Sequence, residues 1–273
     1  LPAINPNLQR VIKSLLQEGV LSSASHLASV DSTNTEAIRW IHRSIHLPQT
    51  MPPDVSLLPR LVIADEQTAG RGRMGRSWKA RHDGLAFSLI WPGCCELTSI
   101  AVGVAIAETI EYLAGPTRCG LKWPNDVWMS EGKVAGVLIE RVDPPISEPT
   151  IESKPFLIIG IGLNVGSSPQ LDESPTTSLV EATGRLISQA DVLSELIPGL
   201  IERLGELPRG TGDVLNAFRT RCVLTSRRVR CVVDGQPIEG ICQGIADCGE
   251  LLVQTPAGLH QCRSGEVTRV RLA

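Results

Sequence analysis

Gly70-Arg71-Gly72-Arg73-Met74-Gly75-Arg76-Ser77-Trp78 packs three glycines and three arginines into nine positions. Glycine lets a backbone reach positive φ and approach a ligand closely, and arginine offers a planar, permanently charged fork that matches carboxylate or phosphate oxygens. No acid interrupts the chain between Glu66 and Asp83, and Lys79 and Arg81 extend the basic run. The composition suits a loop that wraps an anion, against the plainer reading of a solvated basic surface loop. Gly70, Gly72 and Gly75 also fit the Gly-x-Gly-x-x-Gly spacing of a dinucleotide-binding βαβ unit, which requires a strand before the loop and a helix after it. Arg60-Leu61-Val62-Ile63-Ala64-Asp65 reads as the strand. The residues that follow, Ser77-Trp78-Lys79-Ala80-Arg81-His82-Asp83-Gly84, lack the apolar 3.6-residue period of a crossover helix. No Gly-Lys-Ser/Thr closes the glycine run, which removes the P-loop as well. The loop belongs to another anion-handling fold.

Upstream, Asn5 to Gly19 carries Leu8, Val11, Ile12, Leu15 and Leu16 at helical spacing with Gly19 as a stop, which predicts one amphipathic packing helix. After the polar stretch Asp31-Ser32-Thr33-Asn34, Glu36 to His42 reads as a short helix for which those residues are ready caps. A loop marked by Pro48, Pro52 and Pro53 then leads into the strand. Downstream, Leu85 to Trp91 reads as a buried strand and Leu97 to Leu113 as a long helix. Cys119 to Trp123, Val127 to Met129, Val134 to Val142 and Phe156 to Val165 follow as strands, then Ala190 to Leu204 and Thr211 to Arg221 as helices. So many successive strands with few helices between them predict an α+β fold, a mixed β-sheet covered on one face. The tail differs. Arg228 to Val233, Ile238 to Gly244, Glu250 to Gln254, Leu259 to Cys262 and Val267 to Arg271 are short, evenly spaced strands with turns such as Asp234-Gly235 and Cys248-Gly249, the pattern of a small separate β-barrel.

The 273 residues suffice for one large domain and one small one, and 42% hydrophobic with 20% charged residues is ordinary for a soluble globular chain. A formal net charge of −3 argues against nucleic acid or an anionic membrane as partner, because positive charge is concentrated in one loop rather than spread. The eight cysteines form no Cys-x-x-Cys pair, and Cys94 and Cys95 are adjacent, so they read as mostly buried thiols of a cytoplasmic protein. Neither a signal-peptide pattern nor a run of about 18 apolar residues stands in these 273 residues, the segment from Ile100 to Ala107 lying between Glu96 and Glu108.

Four segments are richer in special residues than packing requires. They are Asp31-Ser32-Thr33-Asn34, Gln67 through Trp78, Lys122-Trp123-Pro124-Asn125-Asp126 with Lys133 beyond it, and Gly160-Ile161-Gly162-Leu163-Asn164-Val165. In the third, a basic residue, a bend-fixing proline and an Asn-Asp pair share a short turn between two strands, which suits a nucleotide and its Mg²⁺ as well as a plain Asn-Asp turn. In this order, together with Lys133-Val134-Ala135-Gly136-Val137-Leu138-Ile139-Glu140 and the C-terminal barrel, the segments resemble the biotin protein ligase family, enzymes that attach biotin to carboxyl carrier proteins. The resemblance spans roughly residues 30 to 273.

That resemblance implies a catalytic domain like those of class II aminoacyl-tRNA synthetases and biotin ligases at residues 26–222. It places an SH3-like β-barrel at 223–273 and an N-terminal helical extension at 1–25. It implies two steps: biotin and Mg-ATP give biotinyl-adenylate and pyrophosphate, and the acyl group then passes to a lysine of a biotin carboxyl carrier protein. By the same resemblance Ser32, Thr33, Asn34, Gln67, Gly70, Arg71 and Gly72 bind biotin, with an apolar wall from Val134 to Leu138. Arg71 and Arg73 bring carboxylate and α-phosphate together, and Lys133 and Arg73 are the catalytic cations, both also contacting biotin. Arg76, Trp78, Lys122, Asn125, Asp126 and Asn164 join Arg73 at the nucleotide, and Asp126 is the Mg²⁺ ligand. In this family the glycine-arginine loop is mobile and orders over the ligand.

Two departures and three rivals matter. Bifunctional members carry an N-terminal winged helix-turn-helix, and only about thirty residues precede Asp31, too few for that domain, so the single-function branch is expected. The stretch from Gly166 through Thr177 has no tryptophan to stack on adenine, although Thr177-Ser178-Leu179 looks like the helix start of the single-function branch. The rivals are a lipoate-attaching ligase, a biotin-responsive DNA-binding regulator and an inactive biotin-binding module. A homodimer through strands of the catalytic sheet is open to the chain, as in relatives.

Overall fold

Phe156–Leu163 (β7) is buried at every position, because it lies near the middle of a seven-stranded sheet with layers on both faces. A computed structural model describes residues 4–45, 55–93, 95–130, 132–143, 155–171, 175–233, 236–263 and 267–269. Pro48, Pro52, Pro53, Cys94, the Asp234-Gly235 turn and the end of the last expected strand lie outside them.

The other strands are Ser23–Leu27 (β1), Arg60–Ala64 (β2), Leu85–Pro92 (β3), Gly120–Lys122 (β4), Asp126–Met129 (β5) and Gly132–Val142 (β6). Their spatial order is β1-β2-β3-β7-β6-β5-β4, with β1 parallel to β2 and the rest antiparallel, so the sheet is mixed as expected. Strand β1 is absent from the sequence reading. As an edge strand of sequence Ser-Ala-Ser-His-Leu, only half-buried throughout, it carries no apolar alternation to detect.

One face of the sheet carries the large core. Leu61, Ile63, Phe87, Leu89, Ile159 and Ile161 meet the helices Pro6–Gln17 (α1), Thr98–Ala114 (α3), Gln189–Glu206 (α5) and Gly212–Arg219 (α6). Helix α3 is apolar nearly all round because it is the central helix of that layer. The expectation that only one face is covered needs correcting. Helix Thr33–Ile45 (α2) lies on the second face, where Ala37 and Ile41 pack on Val62, Ile90 and Ile158. It begins at Thr33, not Glu36, with the Glu36 N–H bonded to the Ser32 carbonyl. Because strand side chains alternate between faces, Ile158, Gly160 and Gly162 of β7 share that second face. Helix α2 covers the isoleucine end and leaves the glycine end open.

Helix Leu179–Thr183 (α4) starts where Thr177-Ser178-Leu179 indicated, with Ser178 and Glu181 forming a reciprocal capping box. The C-terminal strands are Arg228–Val233 (β8), Gln236–Ile245 (β9), Leu251–Thr255 (β10), Gly258–Cys262 (β11) and Thr268–Arg269 (β12). They make an SH3-like antiparallel sheet of order β11-β10-β9-β8-β12. It docks on the larger unit through the Trp123 indole, which donates to the Gly249 carbonyl at 2.8 Å, and through Arg219, which donates to the Ile245 carbonyl and Asp247.

Glu111 of α3 ties three segments together. Its carboxylate accepts from Arg221 Nε at 3.1 Å and Nη2 at 2.7 Å, and from the Cys119 N–H at 3.0 Å. Burial works to raise this carboxyl, but the Arg221 guanidinium and the Cys119 N–H outweigh it, so Glu111 sits below its ordinary 4.5. A depressed carboxyl stabilises the fold above its unfolded value and loses that contribution as pH falls through the folded value. Glu111→Gln is expected to lower Tm by roughly 2–5 °C at pH 7. In thermal melts the gap to the wild type should narrow progressively as pH falls below the ordinary 4.5, and a gap independent of pH would refute the ion-pair account.

Candidate active site

The open glycine end of the second face floors a cavity of about 620 Å³. Gly136 of β6 pairs with Gly162 of β7, and Leu138 with Gly160, so three glycines lie side by side across two central strands. A Cβ on Gly160 would lie 2.2 Å from Asn34 Oδ1, and one on Gly162 would lie 2.2 Å from Trp78 Cε2. The missing side chains are the space that Asn34 and the Trp78 indole occupy.

At one end, α2 brings hydrogen-bonding groups to the sheet. Asp31 is not among those lining the cavity; its carboxylate grips Arg39 of α2 at 2.6 and 2.9 Å and accepts from the Ser32 N–H, which fixes the helix start. The Thr33 N–H donates to Gln67 Oε1 at 2.8 Å. Buried Ser88 of β3 donates to Asn34 Oδ1 at 2.6 Å and lies 2.8 Å from the Thr33 hydroxyl. Asn34 Nδ2 then donates to the Leu138 carbonyl and to Glu140 Oε2, at 3.2 and 2.8 Å. The same Glu140 oxygen pairs with Arg71 at 2.5 Å. Every member is oriented by the next, so the polar end is fixed before any ligand enters.

The glycine-arginine loop forms a small hairpin beside this network. The Trp78 N–H donates to the Gly70 carbonyl, the Gly72 N–H to the Arg76 carbonyl at 2.7 Å, and Arg71 bridges Ser77. At its tip Met74 takes a left-handed φ of 55° and Gly75 one of 74°. Gly70 does not line the cavity: it is buried at the neck of the hairpin, where a Cβ would meet the Trp78 carbonyl at 2.5 Å.

At the other end, the turn between β4 and β5 supplies Lys122, Asn125 and Asp126. Asn125 Nδ2 donates to the Val137 carbonyl at 2.7 Å and its Oδ1 accepts from Arg73 at 3.3 Å. Lys133 Nζ pairs with Asp126 Oδ1 at 2.6 Å and lies 5.6 Å from the centre of the Trp78 ring. Asn164 is 1% exposed; its Nδ2 donates to the Thr177 carbonyl at 3.1 Å, while its Oδ1 is buried with no partner among the described residues. Arg71, Arg73, Arg76, Lys79, Lys122 and Lys133 line the cavity against one carboxylate among the described residues, that of Asp126, so the field inside favours anions.

Ser32, Thr33, Asn34, Gln67, Arg71, Gly72, Arg73, Arg76, Trp78, Lys122, Asn125, Asp126, Lys133 and Asn164 all line this one cavity. Of the expected apolar wall, Gly136, Val137 and Leu138 face it, whereas Val134 belongs to the large core. Sequence reasoning gave no role to Ser88 or Glu140. The one available signal was a lone serine inside the apolar strand Leu85 to Trp91.

These features place the chain in a class of ligases: residues 29–151 match the biotin/lipoate A/B protein ligase family. Residues 227–269 match the biotin protein ligase C-terminal domain. A biotin–acetyl-CoA-carboxylase ligase of Paracoccus denitrificans is 29% identical over 254 residues, covering 88% of this chain and 98% of its own. That of Mycobacterium tuberculosis is 29% identical over 221 residues, 77% of this chain and 79% of its own. The structure of a biotin protein ligase from Aquifex aeolicus in complex with biotin and ATP aligns with a TM-score of 0.71 at 25% identity, covering 91% of this chain and 99% of that one. The chain belongs to the biotin protein ligase family.

The contact between Gly162 and Trp78 is open to a direct test. Gly162→Ala should cost about 1–3 kcal/mol through the forced displacement of the indole. That cost should shrink when Trp78→Ala is present as well, as read by denaturant melts of the four proteins of a double-mutant cycle. An undiminished cost would show that the indole is not what the glycine accommodates.

Proposed function

We propose that this cavity makes biotinyl-adenylate from biotin and Mg-ATP and transfers the biotinyl group to a lysine of a biotin carboxyl carrier protein. One observation carries the reading. A pre-ordered hydrogen-bonding end and a cationic end are joined by a glycine-floored trough, the layout needed by a ligand with a ureido ring at one end, an acyl chain in the middle and a nucleotide at the other. ATP-dependent ligation is the activity of the family to which the chain belongs.

Thr33, Asn34 and Gln67, with Ser32 and the backbone of Arg71 and Gly72, receive the ureido ring, whose donors and acceptors need partners once buried. Arg71 and Arg73 hold the carboxylate against the α-phosphate, bringing two mutually repelling anions into reacting distance. Lys133, aimed into the cavity by Asp126, neutralises the charge that develops in both half-reactions. Arg76 and Lys122 meet the phosphates. Asn164 offers its unpartnered Oδ1 to the adenine amine, and Trp78 offers the aromatic surface that the stretch after Asn164 lacks.

Among the described residues no three His, Cys, Asp or Glu side chains gather as a metal site. Asp126 nevertheless fits Mg²⁺ delivered with ATP, because nucleotide-bound Mg²⁺ takes one or two carboxylates and otherwise phosphate and water oxygens. The ion would polarise the phosphates. No described helix is long and apolar enough to cross a membrane, and we place the enzyme in the cytoplasm. We assign residues 26–222 to catalysis and 223–273 to the barrel, with 1–25 as a helical extension, and keep a homodimer through the catalytic sheet as an assembly open to the chain.

The deciding assay is biotin-dependent exchange of labelled pyrophosphate into ATP, run beside lipoate, followed by the mass of an added carrier domain. Exchange with biotin and a biotinyl mass gain are expected; exchange with lipoate instead would move the chain to the sister activity. Lys133→Ala should lose on the order of 10²–10³ in turnover at unchanged Tm, since a charge-assisted bond to a transition state is worth about 3–4 kcal/mol. Near-wild-type turnover would remove Lys133 from that role.

A further inference from the structure

A second cavity, of about 380 Å³, opens at the seam between the large sheet and the barrel, beside edge strand β4. Cys222, Cys119, Trp128 and three arginines, Arg118, Arg221 and Arg227, contribute to its lining, in which no carboxylate occurs among the described residues. Cys222 is only half-buried and is bridged to Leu121 of β4, with the Val223 N–H donating to the Leu121 carbonyl at 3.0 Å. Strand β9 folds back over the turn that follows: the Cys242 N–H donates to the Arg227 carbonyl at 2.9 Å and the Ser226 N–H to the Cys242 carbonyl at 2.8 Å. The buried Cys242 thiol is thereby brought to the Cys222 side of the seam, near enough to act on that thiol.

We propose that Cys222 is a thiol modification site for anionic low-molecular-weight disulfides, with Cys242 as the thiol that resolves the adduct. Three features support it. An electropositive, partly exposed setting is where reactive cysteines occur. Arg227 is exposed, lines the cavity and has no ion pair among the described residues, so a cationic donor is available for a carboxylate of the incoming reagent. The two thiols of the cavity are also held in opposite states. The Cys242 S–H bond, against the opposing effect of burial, and the Thr225 hydroxyl and backbone N–H groups of Leu224 and Thr225 hold Cys222 below the ordinary thiol value. Burial and the neighbouring Glu111 carboxylate push Cys119 up to about 12.

The chemistry balances as disulfide exchange. The Cys222 thiolate attacks one sulfur of glutathione disulfide; a protein–glutathione S–S bond forms, the glutathione S–S bond breaks, and one glutathione thiolate leaves. The Cys242 thiol then gives its proton to that thiolate, attacks the Cys222 sulfur and releases the second glutathione. Two protein thiols are oxidised and one disulfide is reduced to two thiols. No step depends on the ligase reaction, so the proposal stands or falls independently of it.

The test uses the full chain with glutathione disulfide, followed by non-reducing peptide mass mapping over time. Cys222 should react about tenfold or more faster than the exposed Cys248, and a Cys222–Cys242 linkage should accumulate. Cys242→Ser should stop at the glutathionyl adduct. Arg227→Glu, at an exposed position, should slow glutathione disulfide roughly 3- to 10-fold and leave the neutral hydroxyethyl disulfide unaffected. Three results would overturn the proposal: Cys248 reacting first, equal slowing of both reagents by Arg227→Glu, or a product confined to Cys231 and Cys262, whose buried sulfurs lie 3.1 Å apart.

Discussion

The candidate active site depends on the absence of side chains at Gly136, Gly160 and Gly162. Two central strands of a buried sheet normally present apolar side chains to whatever layer covers them. Here one face of β7 changes from Ile158, which packs under α2, to glycines, onto which Asn34 and Trp78 settle directly. The same alternation leaves the opposite face, with Ile159 and Ile161, fully engaged in the large core. One strand therefore anchors the fold on one side and opens a trough on the other.

The cations of the trough are organised before an anion arrives. Lys133 is held by Asp126, Arg71 by Glu140, and Arg73 donates to Asn125, which is itself pinned to the backbone of β6. These partners reduce the repulsion among six basic side chains gathered around one cavity. They also restrict long side chains to orientations from which they can reach a phosphate or carboxylate, so less conformational entropy remains to be lost on binding. Glu140 serves both ends, since one of its oxygens orients Asn34 as well as Arg71.

The barrel is structurally continuous with this arrangement. The turn that carries Lys122, Asn125 and Asp126 also carries Trp123, whose indole is bonded to Gly249, and Val267 reaches the lining of the main cavity. Gly249 itself approaches Leu97 at the start of α3, where an added Cβ would come within 2.6 Å of Leu97 Cδ2. Burial of Glu111 with Arg221 and the Cys119 N–H fixes the adjoining seam, which is also where the Cys222 cavity opens.

The sequence by itself determined most of the element types and singled out most of the polar and charged residues that line the main cavity. Long runs such as Leu97 to Leu113 and Phe156 to Val165 have unmistakable apolar patterns, and segments with the special residues Ser32 to Asn34, Gly70 to Trp78 and Lys122 to Asp126 stand out because packing alone does not call for them. The tertiary structure alone decided what those residues touch. Strand β1 is too polar to betray an edge position, and α2 lying on the second face is a matter of layer packing that no local period encodes. Ser88 and Glu140 act through partners 54 to 106 residues away, such as Asn34 with Glu140, and the glycine floor lies on neighbouring strands. Hydrogen bonds and close approaches of that kind depend on register and face, which exist only once the strands have paired.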